Sequence, residues 1–325
     1  MQDDVLTVAH VVDAARDGLR LDRFLGSRIV RLSRTRIQTL IMEGQVHVRG
    51  QGTARRPSQR VREGQVVELQ RPSFHEPPVP RTIELLHHDA HVLVVGKPAG
   101  LPVHPNARYH KNTLTEVLRE TLGRDHGYEL AHRIDRETSG VVVLGQRGHV
   151  ARTLKWAFAS QKVDKRYLAV VHGIITEPMH IDRPIGTALE SRIRIKMGER
   201  SHEQGGKPAH TYVHPLVYGN FAGHPVTLIE ARPKTGRQHQ IRVHLAARGH
   251  ALLGDKLYGL DEQWFIDVVD GRVTMGQLDA HLGLDRQALH AWQVTFAHPG
   301  SGEPLTVTAP WPDPLNRIVS LPATP

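Results

Sequence analysis

The sequence predicts a protein of mixed helices and strands in two parts, a small basic unit at residues 18–72 and a much larger one at residues 83–325. Three observations carry that reading. Between 18 and 72, apolar residues recur first at helical spacing and then at strand alternation. The stretch Ser73–Thr82, SFHEPPVPRT, holds three prolines and reads as a stiff linker at 73–82. Beyond it, short continuous apolar runs are interleaved with amphipathic segments, and none approaches the ~20 apolar residues of a membrane span.

Residues 1–17 begin MQDDVLTVAH, acidic and without the apolar core of a leader, and read as a tail. Leu21, Phe24, Leu25 and Ile29 then share one helical face. Ser33 is placed to cap a second helix, whose apolar face is Ile37, Leu40 and Ile41 and whose end is Gly44. QVHVRG alternates with Val46 and Val48 on one side, and Gln65–Leu69 reads as a further strand. In the larger part, Thr82–Leu86 and His91–Val95 read as strands. Thr113 and Glu116 form a capping-box pattern ahead of Leu114, Val117 and Leu118. Val150–Ser160 reads as a helix with Val150, Leu154, Ala157 and Phe158 inward. Tyr167–Val171 and Val226–Ala231 complete the strands expected.

Charge narrows the function. The chain of 325 residues carries a net +9, which favours an anionic partner. Residues 1–72 hold thirteen arginines, no lysine and eight acids, a net +5, so over half of the charge lies in less than a quarter of the chain. Arg31, Arg34 and Arg36 cluster where the second helix begins, and a helix N-terminus adds its own attraction for phosphate. There are no cysteines, which excludes disulfides, thiolate metal sites and a cysteine nucleophile. The 23 histidines include no His-Glu-x-x-His pattern, and His87, His88 and His91 read as solvated, so neither metal nor cofactor is expected. A cytoplasmic protein, not bound to membrane and needing no obligate protein partner, is the expectation.

AHRIDRETSGVVVLG, Ala131–Gly145, is the most informative run. Asp135 lies between Arg133 and Arg136. Thr138, Ser139 and Gly140 suit a tight turn, and Val141–Leu144 form an apolar strand behind it. A single carboxylate presented among arginines suits work on a polyanion. Without the rest of the chain, solvated charges on a surface turn would be the competing reading. HRIDR also has a superficial likeness to the His-Arg-Asp of kinases, but no glycine-rich loop, Val-Ala-Ile-Lys or Asp-Phe-Gly accompanies it. The second informative run is RPKTGRQHQIRVHLAARGHALLGDKLYG, Arg232–Gly259: a basic turn, then a helix with Ile241 and Leu245 four apart and Gly249 as its stop.

These two runs, with VLVVGKPAGLPVHP (Val92–Pro105), VDKRYLAVVHG (Val163–Gly173) and RQALHAWQVTFAHP (Arg286–Pro299), resemble the RluA-type family of RNA pseudouridine synthases in the family's own order. The resemblance covers residue 83 to the C-terminus apart from an insert near Asp261–Asp285, which reads as a structural cap or as a substrate-specific contact. RLDRFLGSRIVRLSRTRIQTLIMEGQVHVRG is similar to the S-four-type (alpha-L) RNA-binding module found ahead of many such enzymes. The resemblance implies an α+β pseudouridine synthase fold with a central mixed, largely antiparallel sheet, cleft across its middle, sufficient as a monomer.

It also implies roles. Asp135 would be the catalytic carboxylate, Arg242 the arginine that pairs with it bidentately and keeps it ionised, and Tyr167 the ring that stacks on the base and later acts as general base. His132, Arg133, Arg136, Lys97 and Lys165 would hold RNA or support the pocket, and Arg31, Arg34 and Arg36 would bind RNA from the module. His290 and Trp292 read as packing behind the site. Gly96, Gln238 and Ala251 depart from the family's usual residues without removing a catalytic group. The target uridine would be taken out of its stack, in large-subunit ribosomal RNA, with tRNA or a non-catalytic role in ribosome assembly as the alternatives. Whether the carboxylate attacks sugar carbon 1′ or removes the proton at carbon 2′ is left open.

Overall fold

The computed structural model describes residues 5–29, 32–72, 76–106 and 109–319. The chain divides into two compact units, Met1–His75 and Glu76–Pro325.

In the smaller unit, β1 (Val5–Val11), α1 (Leu21–Arg28), α2 (Arg34–Met42), β2 (Val46–Val48), β3 (Gly52–Ala54) and β4 (Val66–Pro72) follow in order. The strands form one antiparallel sheet in the order β1-β4-β2-β3. Leu21, Phe24, Ile41, Val46 and Val67 are fully buried in its core, from the positions that the spacing marked. Ser33 caps α2 by accepting the Arg36 N–H at 3.2 Å. The stretch expected as a tail contains β1 instead, paired with β4 from Val5↔Pro72 to Val11↔Val66. Val8 and Val11 stay 38% and 57% exposed, so backbone pairing holds this strand where an apolar face does not.

The larger unit comprises β5 (Glu84–His88), β6 (Val92–Lys97), α3 (Leu114–Leu122), β7 (Tyr128–Leu130), β8 (Ser139–Gln146), α4 (His149–Ala159), β9 (Asp164–His172), β10 (Met179–Asp182), β11 (Ile185–Thr187), β12 (Met197–Glu199), β13 (His210–Phe221), β14 (His224–Pro233), α5 (Gln240–Ala246), α6 (Glu262–Val269), α7 (Met275–Leu282), β15 (Leu289–Ala297), β16 (Pro304–Thr308) and α8 (Asp313–Asn316). Ten of these strands make one sheet, ordered β10-β13-β14-β9-β15-β8-β6-β5, with β16 on β15 and β7 on β8. It is the mixed, largely antiparallel sheet expected: among the described residues only β15 and β8 run parallel. The continuous apolar runs of β6 and β8 follow from burial on both faces. Leu93, Val95, Val142 and Leu144 pack towards Leu114, Val117 and Leu118 of α3, while Val92, Val94, Val141 and Val143 pack towards Leu154 of α4 and Phe296.

Two expectations shift. From Glu76 onward the proline-rich stretch is fastened to the larger unit: the Glu76 carboxylate accepts N–H bonds from Lys111 and Asn112, and Arg81 donates to Asn112. Residues 73–75 lie outside the described residues. Thr113 caps α3 through the Glu116 N–H, while the Glu116 side chain pairs with Arg119 along the helix. The insert at 261–285 holds α6 and α7. Its Trp264 ring stacks on His281 at 4.2 Å, and Phe265 and Ile266 pack against the cluster of Leu257 and Tyr258.

The parallel contact is short, His290↔Ser139 and Ala291↔Gly140, and it joins the two halves of the sheet. Gly140 has φ +111°, and a side-chain carbon there would stand 2.1 Å from the Ala291 carbonyl oxygen. Only glycine permits this approach. Gly140→Ala should therefore cost at least about 3 kcal/mol of stability, read as a lower urea midpoint, or prevent folding; a variant within about 0.5 kcal/mol of wild type would show that the halves are not held by this junction.

Candidate active site

The turn that carries Asp135 runs from β7 into β8. The Thr138 N–H returns to the Asp135 carbonyl, and the Thr138 and Ser139 hydroxyls are buried against Gln287 at 2.8 Å and His290 at 2.8 Å. Small residues are needed because the turn enters the sheet junction directly. Across that junction, Ala291 pairs with Gly140 on one side and with Tyr167 of β9 on the other. One row of the sheet therefore brings the Tyr167 strand beside the Asp135 turn.

Arg242 arrives from α5. The turn before this helix is pinned by Gln240, whose amide donates to Thr211 and the His210 carbonyl and whose oxygen accepts from Thr235 and the Arg237 N–H. The Arg242 side chain is 6% exposed. Its Nη1 donates to Asp135 Oδ2 at 3.0 Å, while Nε and Nη2 grip Asp255 at 2.8 and 2.9 Å. The bidentate geometry expected for Asp135 thus belongs to Asp255, and Asp135 receives a single N–H. Asp255 is fully buried and is fixed in turn by the N–H groups of Leu257 and Tyr258. Burial by itself pushes the Asp135 carboxyl up, but the Arg242 charge, with His239 and hydrogen bonds from Arg242 and Gln287, outweighs it and holds Asp135 below the usual carboxylate range.

Around Asp135 lies a cleft of roughly 330 Å³. Tyr167, His132, Arg133, Lys165 and Arg242 all line it, and among the described residues Asp135 is its one acid. Burial first, and the Asp135 charge second, raise Tyr167 well above the usual phenol range, so its ring faces the cleft as a neutral phenol. Lys165 donates to the Thr235 carbonyl at 3.0 Å and is held down to about 8, chiefly by burial. His132 stacks on Phe158 at 4.2 Å, accepts the Val143 N–H, and is held down by burial to about 3. It forms a neutral wall rather than a cation. Arg133 is exposed at the lip.

Other expected RNA contacts are placed elsewhere. Lys97 is 1% exposed and spends its three N–H bonds on the carbonyls of Pro98, Leu101 and Arg136 at 2.7 to 3.0 Å. It braces the Asp135 turn from behind, as a support of the pocket. Arg136 is taken up by the Tyr109 hydroxyl and Glu137. In the smaller unit, Arg34 is exposed and pairs with Asp22, a carboxylate buried at the helix crossing, and Arg36 is also exposed, with Glu43 at 4.0 Å. Arg31 lies outside the described residues. His290 and Trp292 do pack behind the site: His290 meets Ser139 and Trp311, and the Trp292 ring lies under Arg166.

Sequence reasoning missed three participants. Asp255 and Tyr258 lie in GDKLYG, a run whose burial cannot be read from its residues. The third, His239, has φ +56° at the start of α5 and binds the Tyr258 hydroxyl through Nδ1 at 2.9 Å. Its Nε2 stands 4.0 Å from Asp135 Oδ2, and burial, then Arg242, hold it down to about 4. The unusual backbone was the missing signal. Among the described residues no group of three or more histidines and acids is arranged to hold a metal ion.

Residues 91–247 match the family model described as RNA pseudouridylate synthase. The protein of Xanthomonas campestris called ribosomal large subunit pseudouridine synthase D is 36% identical over 98% of this chain and 93% of its own length. The protein of the same description from Zymomonas mobilis is 34% identical over 94% of both. The solved human RNA pseudouridylate synthase domain containing 1 is 28% identical, with a TM-score of 0.56 over 72% of this chain and 86% of its own.

The chain belongs to the RluA-type family of RNA pseudouridine synthases.

As a pseudouridine synthase it breaks the bond from sugar carbon 1′ to uracil N1 and joins that carbon to C5. N1 gains a proton and C5 loses one, so no oxidant, reductant or nucleotide triphosphate enters the balance. In this synthase the folded Asp135 titrates below its unfolded counterpart. Its charge therefore stabilises the fold above the unfolded value, and the gain is lost as pH falls through the folded value. Arg242→Ala would leave two carboxylates without their shared cation. Urea unfolding should show a loss of about 3–5 kcal/mol near neutral pH, shrinking as pH falls and Asp135 protonates. A penalty independent of pH would assign the loss to packing instead.

Proposed function

We propose that this synthase modifies uridines of large-subunit ribosomal RNA, with Asp135 as the acting carboxylate, Arg242 as its charge partner and Tyr167 as the ring that stacks on uracil. One observation carries the assignment of roles: an ionised carboxylate, single in its cleft, is held 3.0 Å from a buried guanidinium with a neutral phenol on the adjoining strand. The ionised form is the one required, whether it attacks carbon 1′ or removes the carbon 2′ proton. Tyr167 suits stacking more directly than base catalysis, since burial and the nearby charge both oppose loss of its own proton. Arg133 and Lys165 supply positive charge where the flanking phosphates of an extruded nucleotide would pass.

The choice of ribosomal RNA rests on near-full-length similarity to relatives named for the large subunit. A second support is the smaller unit, in which Arg23, Arg36, Arg55 and Arg56 are exposed on a sheet-and-helix body. We assign that body the role of the S-four-type RNA-binding module.

Tritium release from uridine labelled at C5 tests the reaction. Wild type should release label from large-subunit RNA, and Asp135→Asn should be slower by about 10³-fold or more. Tyr167→Phe should keep RNA affinity; full turnover would remove any general-base role for the hydroxyl. Release from tRNA alone would replace the ribosomal reading. Removal of residues 1–75 should weaken RNA binding and flatten its salt dependence, the logarithmic slope falling by about one for each phosphate that the shortened chain no longer neutralises. An unchanged affinity and slope would remove the binding role from this unit.

A further inference from the structure

A second cavity, of roughly 570 Å³, opens beside the catalytic cleft, and Lys155 lines both. The isomerisation itself makes no use of it. Its floor is apolar, with Leu118 and Leu144 only 4% and 2% exposed. Its rim carries Arg119, Arg124 and Arg147. The acid among them, Glu129, is already engaged by Lys155 at 2.6 Å and lies 3.7 Å from Arg147. Arg119 is paired along its helix with Glu116, and among the described residues Arg124 has no carboxylate partner. Positive charge is therefore left over at the rim.

The interior is different. His126 lies parallel to the Tyr128 ring at 6.2 Å, and the more exposed His104 lines the same cavity. Burial first, then neighbouring cations, lowers both imidazoles, so they are neutral rings at physiological pH. A cationic rim over leucines and uncharged rings fits a group with an apolar face and an anionic tail. An acidic peptide would match the rim but leave the floor unused, and a simple phosphate would need neither floor nor rings. An unpaired nucleotide uses all three, its base on the floor and its phosphate at the rim.

We propose that this pocket receives a second unpaired nucleotide of the substrate RNA, close along the strand from the uridine in the cleft. The assignment rests on the RNA reading given above. Lys155, on the wall common to both cavities, would meet the strand between the two bases. Such a pocket selects RNA in which two nearby nucleotides leave their stack at little cost, which favours loops over plain duplex.

The test uses a short hairpin RNA that the full-length enzyme isomerises. Abasic nucleotides are placed singly at each position flanking the target, with wild type and with Arg124→Ala/Arg147→Ala; both arginines are exposed, so the fold is not at risk. One flanking abasic position should raise the half-saturating RNA concentration about tenfold for wild type. The double variant should raise it by a similar factor on intact RNA, and the two effects together should fall well short of their product. Single-turnover rates at saturating RNA should change far less than the half-saturation does. Equal effects at every position, effects that multiply, or a half-saturation indifferent to both arginines would each overturn the pocket while leaving the isomerase reading intact. Failure of wild type to isomerise any RNA would overturn that reading, and this proposal with it.

Discussion

Arg242 sits between two carboxylates, and the geometry of the larger unit converges on that arrangement. A guanidinium this buried is stable only when its N–H groups are spent on anions, because desolvation otherwise costs more than any single contact returns. Asp255 supplies the bidentate anchor and is itself held by two backbone N–H groups. An Nη1 N–H points at Asp135, which keeps partial access to the cleft. Division of labour follows from this asymmetry. One acid positions the cation, and the cation keeps the other acid charged and available. Under the proposed roles, a symmetrical pairing would hold Asp135 more rigidly and leave it less free to approach a sugar.

The sheet makes the meeting possible. Asp135, Tyr167 and Arg242 come from three separate stretches, and no local structure could bring them together. The short parallel contact between β8 and β15 does so, and it exists because Gly140 lacks the atom that would collide with Ala291. Lys97 supports the same turn from the side away from solvent, with three carbonyls in its grip. Of the two uses that the sequence leaves open for this lysine, the geometry favours the structural one.

Electrostatics then separates the cleft from its surroundings. His132 and His239 are near Asp135 yet neutral, since burial and nearby cations both oppose their protonation. Positive charge is carried by Arg133 and Lys165, and beyond them by the rim of the second cavity. On the proposed reading, a negatively charged strand would meet attraction along its phosphates and uncharged surfaces at its bases. Such a pattern would orient a nucleotide, where a uniformly basic groove would only retain it.

Much of this was legible in the sequence. Helical spacing placed α1, α2 and α4, the Ser33 cap was correct, and the order of five segments pointed to the family, to Asp135 and to Arg242. These are properties of neighbours along the chain: periodicity, capping and short motifs persist whatever the chain later packs against. The strand at Val5–Val11 was missed because its stability comes from a ladder with the distant β4, at Val66–Pro72, rather than from an apolar face of its own. The partners that Lys97, Arg136 and Arg34 take were not legible for a related reason. A cation's charge is visible in sequence, but whether water, a carbonyl or a carboxylate satisfies it depends on what folding brings alongside. Asp255 and His239 belong to that class as well. The sequence alone determined which chemistry was available; the tertiary structure decided which charges were spent on holding the fold and which were left facing the cleft, because burial and long-range contact set the cost of every buried ion.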